Sequence, residues 1–192
     1  MTPDWILALE QAQAHHVRIY EQWVEELNSE YSTGGPEVAF ELSEHSTVLR
    51  RLYRADFVAM VSNETVVREF RQTSGIASET FVGRLERASL QIESFSWDTA
   101  IVRLEGADWP VEPVQVWFDD WFGLESGRED IAPIGQPGGM IHSASLDRSV
   151  LHVDLGSAPV EAMTSLLEIA DRSGATMVTI SNEFASKVGV SN

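Results

Sequence analysis

The first thirty residues space their hydrophobic side chains three and four apart, and from residue 37 to residue 105 the spacing changes to two. Trp5, Leu9, Ala12, His16, Ile19, Trp23 and Leu27 share one stripe, while Glu10, Glu21, Glu25 and Glu26 fall off it; residues at those intervals meet on one helical face. Thr2 as a cap, Pro3 in the first position and Asp4 at the positive end of the dipole predict a helix over 3–29. Ser32-Thr33-Gly34-Gly35-Pro36 ends it. The stripe is wide enough to serve a partner helix as well as a core, so a homodimer through residues 5–27 is one expectation.

The period-two region, 37–105, reads as an antiparallel β-meander. Val38, Phe40 and Leu42 open it, Phe57 to Val61 and Val66 to Phe70 flank a turn at Ser62-Asn63-Glu64, and Phe81 to Leu85, Leu90 to Ile92 and Ala100 to Leu104 follow. Residues 46–55 also fit a helix. A short helix over 113–124 comes next, and residues 126–139, rich in Pro and Gly, read as a loop. The last ordered stretch, 140–181, reads as a β-hairpin turning at Asp147-Arg148, a helix over 159–172 and a strand over 176–181. Ser157 is the expected cap of that helix, Pro159 suits its first turn and Gly174 its stop. A strand–helix–strand unit implies a parallel pair with a right-handed crossover. The fold class expected is α+β in a single domain, with one mixed sheet and helices over one face.

Composition narrows the chemistry. The 192 residues contain no cysteine, which removes disulfides, thiolate metal sites and a cysteine nucleophile. No apolar run reaches bilayer length and no secretory pattern opens the chain, so the expectation is a cytoplasmic protein without membrane contact. The net charge is −17. Residues 1–49 carry −8, residues 50–103 carry +1 and residues 104–192 carry −10. Such a balance repels nucleic acid and anionic lipid and speeds encounter with basic proteins.

Four constellations invite a chemical reading. On the 140–155 hairpin, a turn at Asp147-Arg148 sets Ser143 opposite His152, with Asp154 two residues along the same face, as a Ser-His-Asp site requires. No Gly-x-Ser-x-Gly elbow accompanies it. Adjacent His15 and His16 diverge by about 100° on a helix and do not chelate one ion, so His16 reads as a packed core histidine and no metal or cofactor is expected. Gly156-Ser157-Ala158-Pro159 joins a strand to a helix without the spacing or lysine of a phosphate loop, and reads as a cap. Eight arginines (Arg50, Arg51, Arg54, Arg68, Arg71, Arg84, Arg87 and Arg103) spread over successive strands. They form either cross-strand ion pairs or an anion-binding face.

The fifth constellation is the most distinctive. Between Glu105 and Asp130, eight acidic residues and one arginine are interleaved with five aromatic rings. Trp117 and Trp121, and Phe118 and Phe122, are four apart and form one helical stripe; it is either this helix's share of the core or a surface that meets a partner. Asp108, Trp109, Glu112, Trp117, Asp119, Asp120, Trp121, Glu125, Glu129 and Asp130 are the candidate partner-binding residues. In size, charge and lack of a catalytic motif the chain resembles small acidic immunity proteins that block co-expressed toxins. That resemblance implies a non-catalytic inhibitor occluding the active cleft of a basic protein partner. The rival expectation is a small enzyme or ligand-binding protein using Ser143, His152 and Asp154 or the arginine face.

Overall fold

The computed structural model describes residues 3–36, 57–70, 80–122 and 141–182. Helix α1 spans Asp4–Glu30, and its N-cap position is Pro3, without a side-chain capping bond. Its C-terminal end closes where Tyr31 N–H donates to Leu27 O. Leu9, Ala12, His16, Val24 and Leu27 are its buried residues, close to the stripe read from the sequence.

That stripe serves two cores in succession. Val24 and Leu27 pack with Phe57 and Ala59, supported by Tyr20, Trp23 and Tyr31. These residues lie against a three-stranded antiparallel sheet of order β1-β2-β3, formed by Gly34–Gly35, Phe57–Val61 and Glu64–Arg68. Ser62 and Asn63 both have positive φ (52° and 68°) and close the β2–β3 hairpin, as the two central residues of a type I′ turn require.

Leu9 and Ala12, at the other end of α1, join the main core. Its floor is a six-stranded mixed sheet of order β4-β5-β9-β6-β8-β7. The strands are β4 Phe81–Arg84, β5 Ser89–Ile92, β6 Ala100–Glu105, β7 Ser143–Asp147, β8 Val150–Asp154 and β9 Met177–Asn182. Leu90, Ile92, Val102, Leu104, Ala144, Leu151, Val153, Val178 and Ile180 share one face and one core cluster with helices α1, α2 (Val111–Phe122) and α3 (Val160–Arg172). The class is therefore α+β, with the three helices over one face of the larger sheet.

Two departures from the sequence pattern have a common origin in burial. The run of short strands is divided between two sheets, and within the larger one β5 and β6 do not pair, because β9 lies between them, parallel to β5 and antiparallel to β6. Val178 and Ile180 of β9 are fully buried, and an apolar strand is best satisfied at the sheet centre. The β8–α3–β9 unit consequently has β6 between its two strands, so they run the same way without being neighbours. The N-cap position of helix α3 is Pro159, two residues after the Ser157 expected there. Gly174, at φ 88°, ends it as expected.

Candidate binding face

Helix α2 begins two residues before Pro113 and brings Trp117 and Trp121 against α3. Trp117 and Phe118 are buried, and Trp117 Nε1 donates to Ala162 O at 2.8 Å. Trp121 is half-buried; its Nε1 donates to Ser165 Oγ at 3.1 Å, and Ser165 in turn donates to Ala162 O. Trp109, ahead of the helix, is 3% exposed, and its backbone N–H donates to Arg148 O. The rings of Trp109 and Trp117 thus belong to the core. Trp121 keeps part of its indole at the surface.

The carboxylates of the same segment face outward. Asp108, Glu112 and Asp120 are exposed and Asp119 is half-buried; Asp119 Oδ1 accepts from Gln115 Nε2 at 2.9 Å, one helical turn away. Glu112, Val116 and Asp120 stand at successive steps of four, on one stripe. Val116 is 56% exposed, so an apolar side chain sits between two carboxylates on the outer surface of α2. Glu125, Glu129 and Asp130 lie outside the described residues.

Charge is segregated by secondary structure. Among the described residues, the three helices carry twelve acidic residues and two arginines, a net of −10. The nine described strands carry four acids and three arginines, a net of −1. Sequence reading places the negative charge in two blocks at opposite ends of the chain. Folding lays helices from both blocks on the same side of the larger sheet. Asp171 of α3 is the exception within this layer: it is buried, and its Oδ1 accepts from Arg87 N (2.9 Å) and Ala88 N (2.8 Å). No local sequence signal marks it, since its partners are more than eighty positions away.

The 140–155 hairpin turns one residue later than expected. Asp147 pairs with Val150, leaving Arg148 (φ 50°) and Ser149 in the turn. Ser143 therefore faces Asp154, and Ser145, not Ser143, faces His152. A shift of one at the turn moves pairing by two positions, so all three side chains keep the outer face but the expected opposition of Ser143 and His152 is lost. Asp154 Oδ1 instead accepts from Gly156 N at 2.9 Å and lies 3.8 Å from His142 Nδ1. That histidine–carboxylate pair, 11% exposed on each side, was missed in the sequence because it depends on the turn.

The described arginines Arg68, Arg84 and Arg103 do not converge. On the outer face Arg84 of β4 and Arg103 of β6 are separated by β5 and β9, about 14 Å across three strand spacings. Arg68 belongs to the other sheet, and Arg50, Arg51, Arg54 and Arg71 fall outside the described residues. His16 is buried, stacked on Tyr20 and edge-on to Phe70, as a core histidine. Among the described residues no group of three His, Asp or Glu is placed to hold a metal ion, and no helix is long and apolar enough to cross a membrane. Comparison with protein-family models, curated proteins and solved structures finds no match to this chain.

Proposed function

We propose that the chain is a non-catalytic binding protein whose acidic helical side docks onto a basic protein partner. The observation that carries this reading is the segregation of charge: −10 on the helices against −1 on the strands. Charge retained only for hydration has no reason to collect on one side, whereas a one-sided negative field steers a cationic partner and orients it on arrival. The outer stripe of α2 supplies the contact. Val116 offers an apolar centre between Glu112 and Asp120, Asp119 and Asp108 extend the negative rim, and the exposed edge of Trp121 adds an aromatic surface. A partner whose basic cleft handles nucleic acid or another anion would be blocked by occlusion, as an immunity protein blocks its toxin.

Affinity capture from the source cells at low ionic strength tests this, comparing the native chain with Asp119→Lys/Asp120→Lys. The native chain is expected to retain a basic protein and, when added in equimolar amount, to inhibit its activity. The double reversal should weaken that capture by at least about tenfold while leaving a single thermal transition. Equal capture by both chains, or a retained protein whose activity is untouched, would count against the reading.

A further inference from the structure

We infer that the outer edge of β3 is a self-association surface, on which a second copy of this chain adds its own β3 antiparallel about a two-fold axis through Val66. The resulting sheet has six described strands, three from each copy. The inference does not depend on the function proposed for the acidic helices.

The direction of the backbone groups comes first. Met60 N–H donates to Thr33 O at 3.2 Å, and Thr33 Oγ1 donates to Met60 O, so the peptide groups of Met60 face β1. Successive residues of an antiparallel strand direct these groups to alternate sides. Phe57, Ala59 and Val61 therefore bond towards β3, to Arg68, Val66 and Glu64, their register partners. The type I′ turn at Ser62-Asn63 gives the same assignment, since a two-residue hairpin closes on a hydrogen-bonded pair. The groups of Thr65 and Val67 are left pointing away from the sheet. Both residues are exposed, and β3 is the outermost strand of its sheet among the described residues.

Those outward groups suit a copy of themselves. With the axis at Val66, Thr65 faces Val67 of the second copy and Val67 faces its Thr65, giving four reciprocal hydrogen bonds. Glu64 stands opposite Arg68 of the second copy, and the relation repeats across the axis. Moving the axis to Thr65 or Val67 removes both ion pairs, so the sequence Glu-Thr-Val-Val-Arg selects one register. Edge strands that resist association carry charged side chains, proline or a bulge; β3 has no proline or bulge, and its two charges, at symmetric positions, have opposite sign and so favour a copy of themselves. Arg68 is also held in place, with Nη2 donating to Tyr31 Oη at 2.8 Å, and its guanidinium keeps further donors for a carboxylate. On the opposite face of the sheet, Met60 (51% exposed) and Val67 (42%) are uncovered. Val58 pairs with Val67, and Thr65 with Met60, so association aligns Val58, Val67 and, from the second copy, Thr65 and Met60 in one row.

Sedimentation velocity over a concentration series should show the full chain in monomer–dimer equilibrium. Glu64→Arg turns both cross-axis pairs into like charges and is expected to raise the dissociation constant by about tenfold or more. Combining it with Arg68→Glu restores complementarity in the reversed sense and should return association to within about threefold of the native chain. The native chain offers a readout that needs no variant: hydrogen exchange at the amides of Thr65 and Val67 should slow as the concentration rises through the transition. A chain monomeric throughout the series, a single reversal that associates as well as the native protein, a double reversal that does not recover, or unprotected Thr65 and Val67 amides in the dimer would each overturn the inference.

Discussion

A methyl group at Gly156 would overlap the imidazole of His142, and the backbone there has φ 50°, where L side chains are strained. Glycine is therefore required twice over at the end of β8, once for the turn and once for the ring that rests on it. Gly156→Ala is expected to cost about 2–4 kcal/mol, the upper part reflecting displacement of His142 and its carboxylate partner Asp154. Adding His142→Ala removes the overlap but not the backbone strain, so thermal or urea unfolding should give a double variant less destabilised than the two single costs predict. Strict additivity would mean that the ring moves aside freely. The two tryptophans of α2 separate in the same way. Trp117→Ala empties a buried site and removes one of the two side-chain donors to Ala162 O, for about 3–5 kcal/mol. Trp121→Ala, at a half-buried position bonded to a side-chain hydroxyl, should cost less, about 1–2 kcal/mol. A larger loss at Trp121 than at Trp117 would mean that Trp121, not Trp117, is the core ring.

At the scale of elements, Asp171 ties helix α3 to the β4–β5 connection through two backbone donors. Asp171→Ala leaves both N–H groups buried or half-buried without that acceptor, for about 2–4 kcal/mol. Asp171→Asn keeps an oxygen in place and should lose less than half of that. Hydrogen exchange at Arg87 and Ala88 checks the mechanism, because those two amides should lose protection before the centre of β9 does. This tie also shows what the sequence could and could not convey. Periods of 3.6 and 2 located α1, α2, α3 and most strands to within a few residues, since periodicity is a local consequence of burying one face. Strand order was not legible: nothing between residues 92 and 100 announces that β9, eighty residues on, separates β5 from β6. The hairpin register failed for a smaller reason. Asp147-Arg148 and Arg148-Ser149 both make acceptable turns, and the choice decides whether His152 meets Ser143 or Ser145.

For the whole molecule, the acidic helical layer has a thermodynamic consequence that is independent of any partner. Like charges gathered on one side repel one another, and the compact state bears that repulsion more than the unfolded chain does. Salt shortens the range of the field from about 30 Å at 0.01 M to about 8 Å at 0.15 M. Raising NaCl across that interval should therefore raise Tm, by about 2–5 °C for a chain of this size. Differential scanning calorimetry measures it directly, and a neutral osmolyte serves as the control for exclusion effects, which strengthen burial without screening charge. The same salt should weaken capture of a basic partner, because there the field is attractive. Stability and binding then respond to ionic strength with opposite signs, which hydrophobic docking or an enclosed polar ligand site would not produce. Asp119→Lys/Asp120→Lys sharpens the contrast: by relieving repulsion within the layer it should increase Tm at low salt, and by removing the rim it should abolish most of the capture. A variant that loses stability and binding together would indicate that these carboxylates hold the fold rather than a partner.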